Sequence, residues 1–148
     1  MKIIKLMTIF IIFMPLQVFA NSKYADLNQD ELRIYCSGEP SERAMTECLE
    51  KIFYISQAEL DKSQKKFFNE LDNWFEDKQY IVIAKTRLKK SNQEFIKYRT
   101  LQCDFARSLG GGAIDNALDM MKFSCLAELN FQRAKQLDLY LTTNYQVH

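Results

Sequence analysis

Backbone breakers are scarce in this chain. It holds four glycines and two prolines in 148 residues, and neither type occurs between Ser41 and Leu109. A stretch without them is free to form long helices. Histidine is rarer still: the only one is His148, the last residue. A serine or cysteine nucleophile commonly relies on a histidine base, so a hydrolytic triad is excluded. No C-x-x-C pair is present. Structural zinc favours such close ligand pairs, so no metal is expected, and no cofactor motif appears. An excess of one charge is also missing, with 20 Lys and Arg against 19 Asp and Glu. A nucleic-acid binder usually carries a clear basic surplus, so nucleic acid is not expected as a partner. Carboxylates are plentiful, as in "DNWFED". Acid–base chemistry needs a carboxylate whose pKa burial has raised. The sequence marks none, and a solvated helix face accounts for them. The expectation is a protein that is not an enzyme.

What is present starts at the N-terminus. "MKIIKLMTIFIIFMPLQVFA" carries Lys2 and Lys5, an apolar run from Met7 to Met14, Pro15, and the small-residue ending Val18-Phe19-Ala20. This is the pattern of a secretory signal peptide over residues 1–20, cut after Ala20. The apolar run is too short to span a bilayer, which takes about 20 residues, so no membrane anchor is expected. No cysteine follows Ala20 directly to carry a lipid. The remaining chain, 21–148, suits one domain. Cys36, Cys48, Cys103 and Cys125 all lie in it. An even count in an exported chain argues for disulfides and for a periplasmic or secreted location.

Apolar periodicity predicts an all-α fold: three long antiparallel helices after a short N-terminal segment, stapled by disulfides. Ser41 follows Pro40 and can cap a helix starting at Glu42. Met45, Leu49, Ile52, Leu60, Phe67 and Leu71 line its face. A second stripe runs through Ile81, Ala84, Leu88, Phe95, Tyr98, Phe105 and Leu109. A third runs through Ile114, Leu118, Met121, Cys125, Leu129, Leu137 and Tyr140. One helix from 41 to 109 would be about 100 Å long, so the chain must turn, and the polar segment 72–80 is the place. "YIVIA" is rich in strand formers but has no second strand to pair with, and it joins the helical stripe. Phe53, Phe67, Phe68, Trp74, Phe75, Phe95, Phe105, Phe123 and Phe131 are expected mostly in the core.

Three of the four glycines are consecutive, Gly110, Gly111 and Gly112. A phosphate loop needs G-x-x-x-x-G-K-[ST] after a strand, and no Lys-Ser or Lys-Thr follows here. A turn fits instead: glycine accepts positive φ at a helix C-terminus. Gly110 or Gly111 then ends the second helix and the chain reverses into the Ile114 helix.

These residues carry a family resemblance. "LKKSNQEFIKYRTLQC" resembles the L-x-x-x-Q-x-x-W-x-x-Y-R-x-x-x-C segment of the LprI-type lysozyme-inhibitor family, and "CLAELNFQRAKQL" resembles its C-L-x-x-L-T-x-x-R-x-x-x-L helix. "QAELD", 57–61, is similar to its D-A-E-L-N element, and Cys36 and Cys48 to its first cysteine pair. The departures are Asn92 for Gln, Phe95 for Trp, Asn130 for Thr, and Gln57 and Asp61 for Asp and Asn. Family order and short local loops together assign Cys36–Cys48 and Cys103–Cys125 among three connectivities.

The resemblance implies a small exported helical protein that binds a protein partner, a lysozyme or another muramidase. The alternative is an exported interaction protein with a different partner, in envelope stress, toxin neutralisation or a host-directed role. Candidate contact residues are Gly110, Gly111, Gly112 and Ile114 at the turn, with Arg99 and Arg133, which match the family's two arginines. Each arginine is expected to lay its stem along the hairpin and to pair with a carboxylate or carbonyl. With the second cysteine pair at one level, Glu94 or a near neighbour is expected within reach of Arg133.

Overall fold

The computed structural model describes residues 22–143. The signal-peptide reading of 1–20 and His148 lie outside the described residues. The chain runs α1 (Gln29–Cys36), α2 (Glu42–Glu70), a 3-10 turn (Leu71–Asn73), α3 (Lys78–Ser108) and α4 (Asp115–Thr143). The all-α expectation holds. No strand occurs among the described residues, and "YIVIA" lies inside α3.

The starts of α1 and α2 have a local cause. The Ser41 hydroxyl accepts from the amide of Ala44 at 3.2 Å, as an N-cap should. The Asn28 side chain accepts from the Glu31 amide at 3.0 Å, and the Asn28 amide donates to the Glu31 carboxylate at 2.8 Å. This capping box nucleates α1, a helix the periodicity did not predict. The connection between α2 and α3 is Leu71 to Asp77, so α3 begins within the polar segment that was expected to turn.

Successive long helices are antiparallel, which makes α2 and α4 parallel. Ser56 meets Asn130, and Ser63 meets Asp138 at 3.0 Å. Most of the packing is between α2 and α4, whereas α2 and α3 barely touch. The last helix is therefore the central one, covered by α1, α2 and α3. One core cluster joins Leu32 and Cys36 of α1, Leu49 and Ile52 of α2, and Ala127 and Phe131 of α4. A second joins Leu60, Leu71, Leu88, Ala134 and Leu137. Burying a side chain such as Phe131 contributes about 2 to 3 kcal/mol.

Disulfides close Cys36–Cys48 and Cys103–Cys125, with Cα–Cα distances of 5.9 and 5.5 Å. The first ties α1 to α2, and the second anchors α3 to α4. The aromatic expectation needs correction. Phe131 is fully buried, but Phe75 is 93% exposed and Phe105 is also exposed. Phe75 lies in the link before α3, outside any helix, and Phe105 is exposed because α3 is peripheral. With only α4 firmly against it, one stripe is buried and its other faces meet solvent.

Candidate partner-binding surface

The α3–α4 hairpin positions both arginines. Phe95, Arg99 and Cys103 fall at intervals of four, so they share one face of α3. Arg99 is buried. Its Nη1 donates to the side-chain oxygen of Asn130 on α4 and, at 2.6 Å, to Gln57 Oε1 on α2. Asn130 in turn donates to Ser56 Oγ at 3.0 Å, and Ser56 donates to the Phe53 carbonyl at 2.7 Å. One polar chain thus links all three long helices. Two family departures, Gln57 and Asn130, are the two acceptors of Arg99. The guanidinium meets neutral amide oxygens where the family's Asp would offer a charge. Burial holds its pKa below the ordinary arginine range, and the field of Asp61 partly restores it.

Arg133 is half-buried on α4. It donates to Gln136 Oε1 at 2.6 Å, to Ser91 Oγ at 2.9 Å and to Asn92 Oδ1 at 3.3 Å. Burial lowers its pKa as well, against the field of Tyr140. Glu94 does not reach it. That carboxylate accepts from Lys97 at 2.9 Å. The register expectation was therefore sound to about one turn, and the near neighbours Ser91 and Asn92 take the guanidinium. Glu94 is rotated away because each residue turns a helix by about 100°. Both arginines accordingly pair with side-chain carbonyl or hydroxyl oxygens, not with carboxylates.

The two guanidinium groups share one ring: each lies 5.9 Å from the centroid of Phe95. Beside it opens a shallow groove of about 360 Å³, lined by Phe95, Tyr98, Leu129, Gln132, Arg133 and Gln136. Sequence reasoning singled out Phe95 and Arg133 but missed the groove. The spacing of Tyr98 beside Leu129 and Gln132 beside Gln136 was the available signal, but it needs the rotation of α4 to be known.

The glycine turn lies at the other end of the hairpin. Gly110 and Gly111 donate to the carbonyls of Arg107 and Ser108 at 3.2 and 3.1 Å, tightening the end of α3. Gly111 has φ +56°, so the positive-φ expectation holds there. A Cβ on Gly110 would lie 2.4 Å from Leu118 Cδ2, so glycine also permits the close approach of α4. Arg107 clasps the far side, with Nε 3.1 Å from Asp119 and Nη2 3.7 Å from Asp115.

The candidate residues are not one cluster. Arg133 lies about 28 Å along α4 from Ile114 at 1.5 Å per residue. A line of exposed apolar side chains bridges the gap. Tyr98, Leu101, Phe105, Leu109 and Ile114 are each more than half exposed, Leu101 at 72%. Spacings of three and four place the first four on one flank of α3. Tyr98 belongs to the groove and Leu109 to the turn.

No group of acidic, histidine or cysteine side chains suited to a metal occurs among the described residues. None of the described helices is long and apolar enough to cross a membrane. The described chain is a disulfide-stapled all-α fold with an exposed apolar ridge on its α3–α4 hairpin. The chain belongs to the LprI family, described as lysozyme inhibitor LprI, whose family model matches residues 36–137. That family is one of inhibitors and not of catalysts. No curated protein and no solved structure matches the chain.

Proposed function

We propose that the protein is exported into the periplasm or beyond and acts there, without catalysis, as an inhibitor of a lysozyme-type muramidase. The observation that carries this reading is the ridge of exposed apolar side chains from Tyr98 through Leu101, Phe105 and Leu109 to Ile114. Contiguous exposed apolar surface marks interaction sites. The ridge runs along one flank of α3 to the glycine turn, and the tip of a helical hairpin is an element that can enter a substrate cleft. Gly110, Gly111 and Gly112 shape its tip, and the Cys103–Cys125 bridge beneath holds the loop in place, which lowers the entropy cost of docking. Arg133 offers a half-buried cation at the groove end, and arginine is enriched at interface hot spots. Arg99 supports the ridge from behind through its bonds to Gln57 and Asn130.

The test is inhibition of C-type, G-type and endogenous lytic muramidases by the purified protein. At least one should be inhibited, and Leu101→Asp and Ile114→Asp should each weaken inhibition at least about tenfold while circular dichroism stays unchanged. A flat result against all three classes rejects the inhibitor reading in favour of an interaction protein with another partner. Undiminished inhibition by both folded variants moves the contact surface off the ridge.

A further inference from the structure

The first half of α3 has an unusual composition. From Lys78 to Gln93 it carries Lys78, Lys85, Arg87, Lys89 and Lys90 and no acidic residue. The whole chain has a formal charge of only +1, so the rest of it sums to −4. The inner face of this half-helix is settled by Leu88, which is buried against Leu60, Leu71 and Leu137. Ile83, Thr86 and Lys90 fall on the opposite side, Val82 and Arg87 on its two flanks, and all five are exposed. Tyr80, Val82 and Ile83 are about half exposed, at 49, 54 and 44%. Lys85 is occupied with Asp72 and sits 4.4 Å from the Phe68 ring, and Lys89 lies 5.0 Å from the same ring. Lys78, Arg87 and Lys90 make no ion pair among the described residues. The basic stretch is bracketed by Glu76 and Asp77 before it and Glu94 after it.

We propose that this outward face of α3 docks on an anionic lipid surface. The face is the convex side of one helix backed by core, with apolar side chains set among cations over about 18 Å. Such a face suits the interface of a bilayer: Val82 and Ile83 enter the headgroup boundary while Arg87 and Lys90 reach lipid phosphates, with Tyr80 and Lys78 on the two flanks of the first turn. The negative balance of the remaining chain is repelled by the same surface and fixes the orientation. An acidic protein would instead need a groove matched to this one helix. The inference does not depend on muramidase inhibition, because the ridge and the turn lie in the second half of α3 and beyond.

The experiment is co-sedimentation of the purified full chain with phosphatidylcholine vesicles, with and without phosphatidylglycerol. Binding is expected only with phosphatidylglycerol present and should fall as salt rises. Arg87→Gln with Lys90→Gln should weaken it about 30-fold, from the usual attraction of two cations near an anionic membrane. Lys51→Gln with Lys65→Gln makes the same charge change on exposed positions of α2 and should leave binding close to that of the parent. An equal loss in both double variants would reduce the effect to net charge and overturn the docking face. Absence of binding to either vesicle also overturns it. If the vesicles fail while immobilised polyglutamate retains the parent but not the α3 variant, the partner is an acidic protein and the lipid proposal falls.

Discussion

Arg99 and Asn130 meet across the α3–α4 interface, where the asparagine side-chain oxygen accepts from the arginine Nη1 and its amide nitrogen donates onward to Ser56 of α2. A buried cation is thus held by neutral groups on two other helices. Removing one partner leaves a charged donor short of an acceptor, which costs more than the bond itself contributes.

Asn130→Leu should therefore lower unfolding stability by about 2 kcal/mol, read from urea denaturation. Removing Arg99 as well, in an Arg99→Met, Asn130→Leu double variant, should cost less than the sum of the single changes, because no cation is then stranded. Strict additivity would show that the two residues act separately.

Gln57 offers a second test of the same network. Gln57→Glu places a carboxylate within reach of Arg99, and a charge-assisted bond is about twice as strong as a neutral one. The new pairing should contribute about 1 kcal/mol. Most of it is offset, because Gln57 Nε2 donates to Asp61 Oδ1 at 2.9 Å in the parent and the variant sets two carboxylates there. Only a small net gain is expected. A loss of stability would mean that the desolvation of the new charge outweighs its pairing.

Two neighbouring glycines should respond differently. Gly111→Ala forces a Cβ into positive φ and should cost about 1 kcal/mol. Gly112→Ala meets no atom within 4 Å and carries no such strain, so its midpoint in thermal melts should stay close to that of the parent. Equal effects would remove the conformational argument for Gly111.

Glu59 supplies a pH dependence. Burial raises its pKa above the ordinary carboxylate value, with Asp138 adding to the rise, while the Ser22 backbone and Lys62 oppose it. A folded pKa above the unfolded one means that the favourable contribution is present at low pH and is lost as pH rises through the folded value. Glu59→Gln should therefore stabilise the protein at neutral pH and change little well below pH 4. Denaturation of parent and variant across that range decides it, and an identical gain at both ends would refute the linkage.

The helical class and the long elements were readable because Ser41, the glycine run and the apolar stripes are local signals. The Asn28–Glu31 capping box was equally local and went unread, which left α1 hidden in the N-terminal segment. The disulfide pairing came from family order as much as from loop length. Glu94 shows the limit of counting along a hairpin. Levels across two helices were right to within about one turn, but the direction of a side chain changes by 100° per residue. The groove beside Phe95 was out of reach for the same reason. The exposure of Phe105 was hidden because periodicity does not say how many neighbours a helix has, and that of Phe75 because it sits in the link before α3. Asn92, Asn130 and Gln57 stood out as family departures, and only their geometry shows that they are where the two arginines find acceptors.

The central position of α4 has a consequence for how the chain is made. Synthesis proceeds from the N-terminus, so α1, α2 and α3 emerge before the element on which they pack. Until residues beyond Asp115 appear, Leu49, Ile52, Leu60 and Leu88 lack the Ala127, Phe131 and Leu137 surface that completes their clusters. The Cys36–Cys48 bridge joins partners 12 residues apart and can close early, while Cys103 must wait for a partner 22 residues later. The nascent chain is thus a long apolar-striped polymer until its last fifth is delivered, and a ribosome stall or a nonsense codon after Gly112 would release a product with no assembled core.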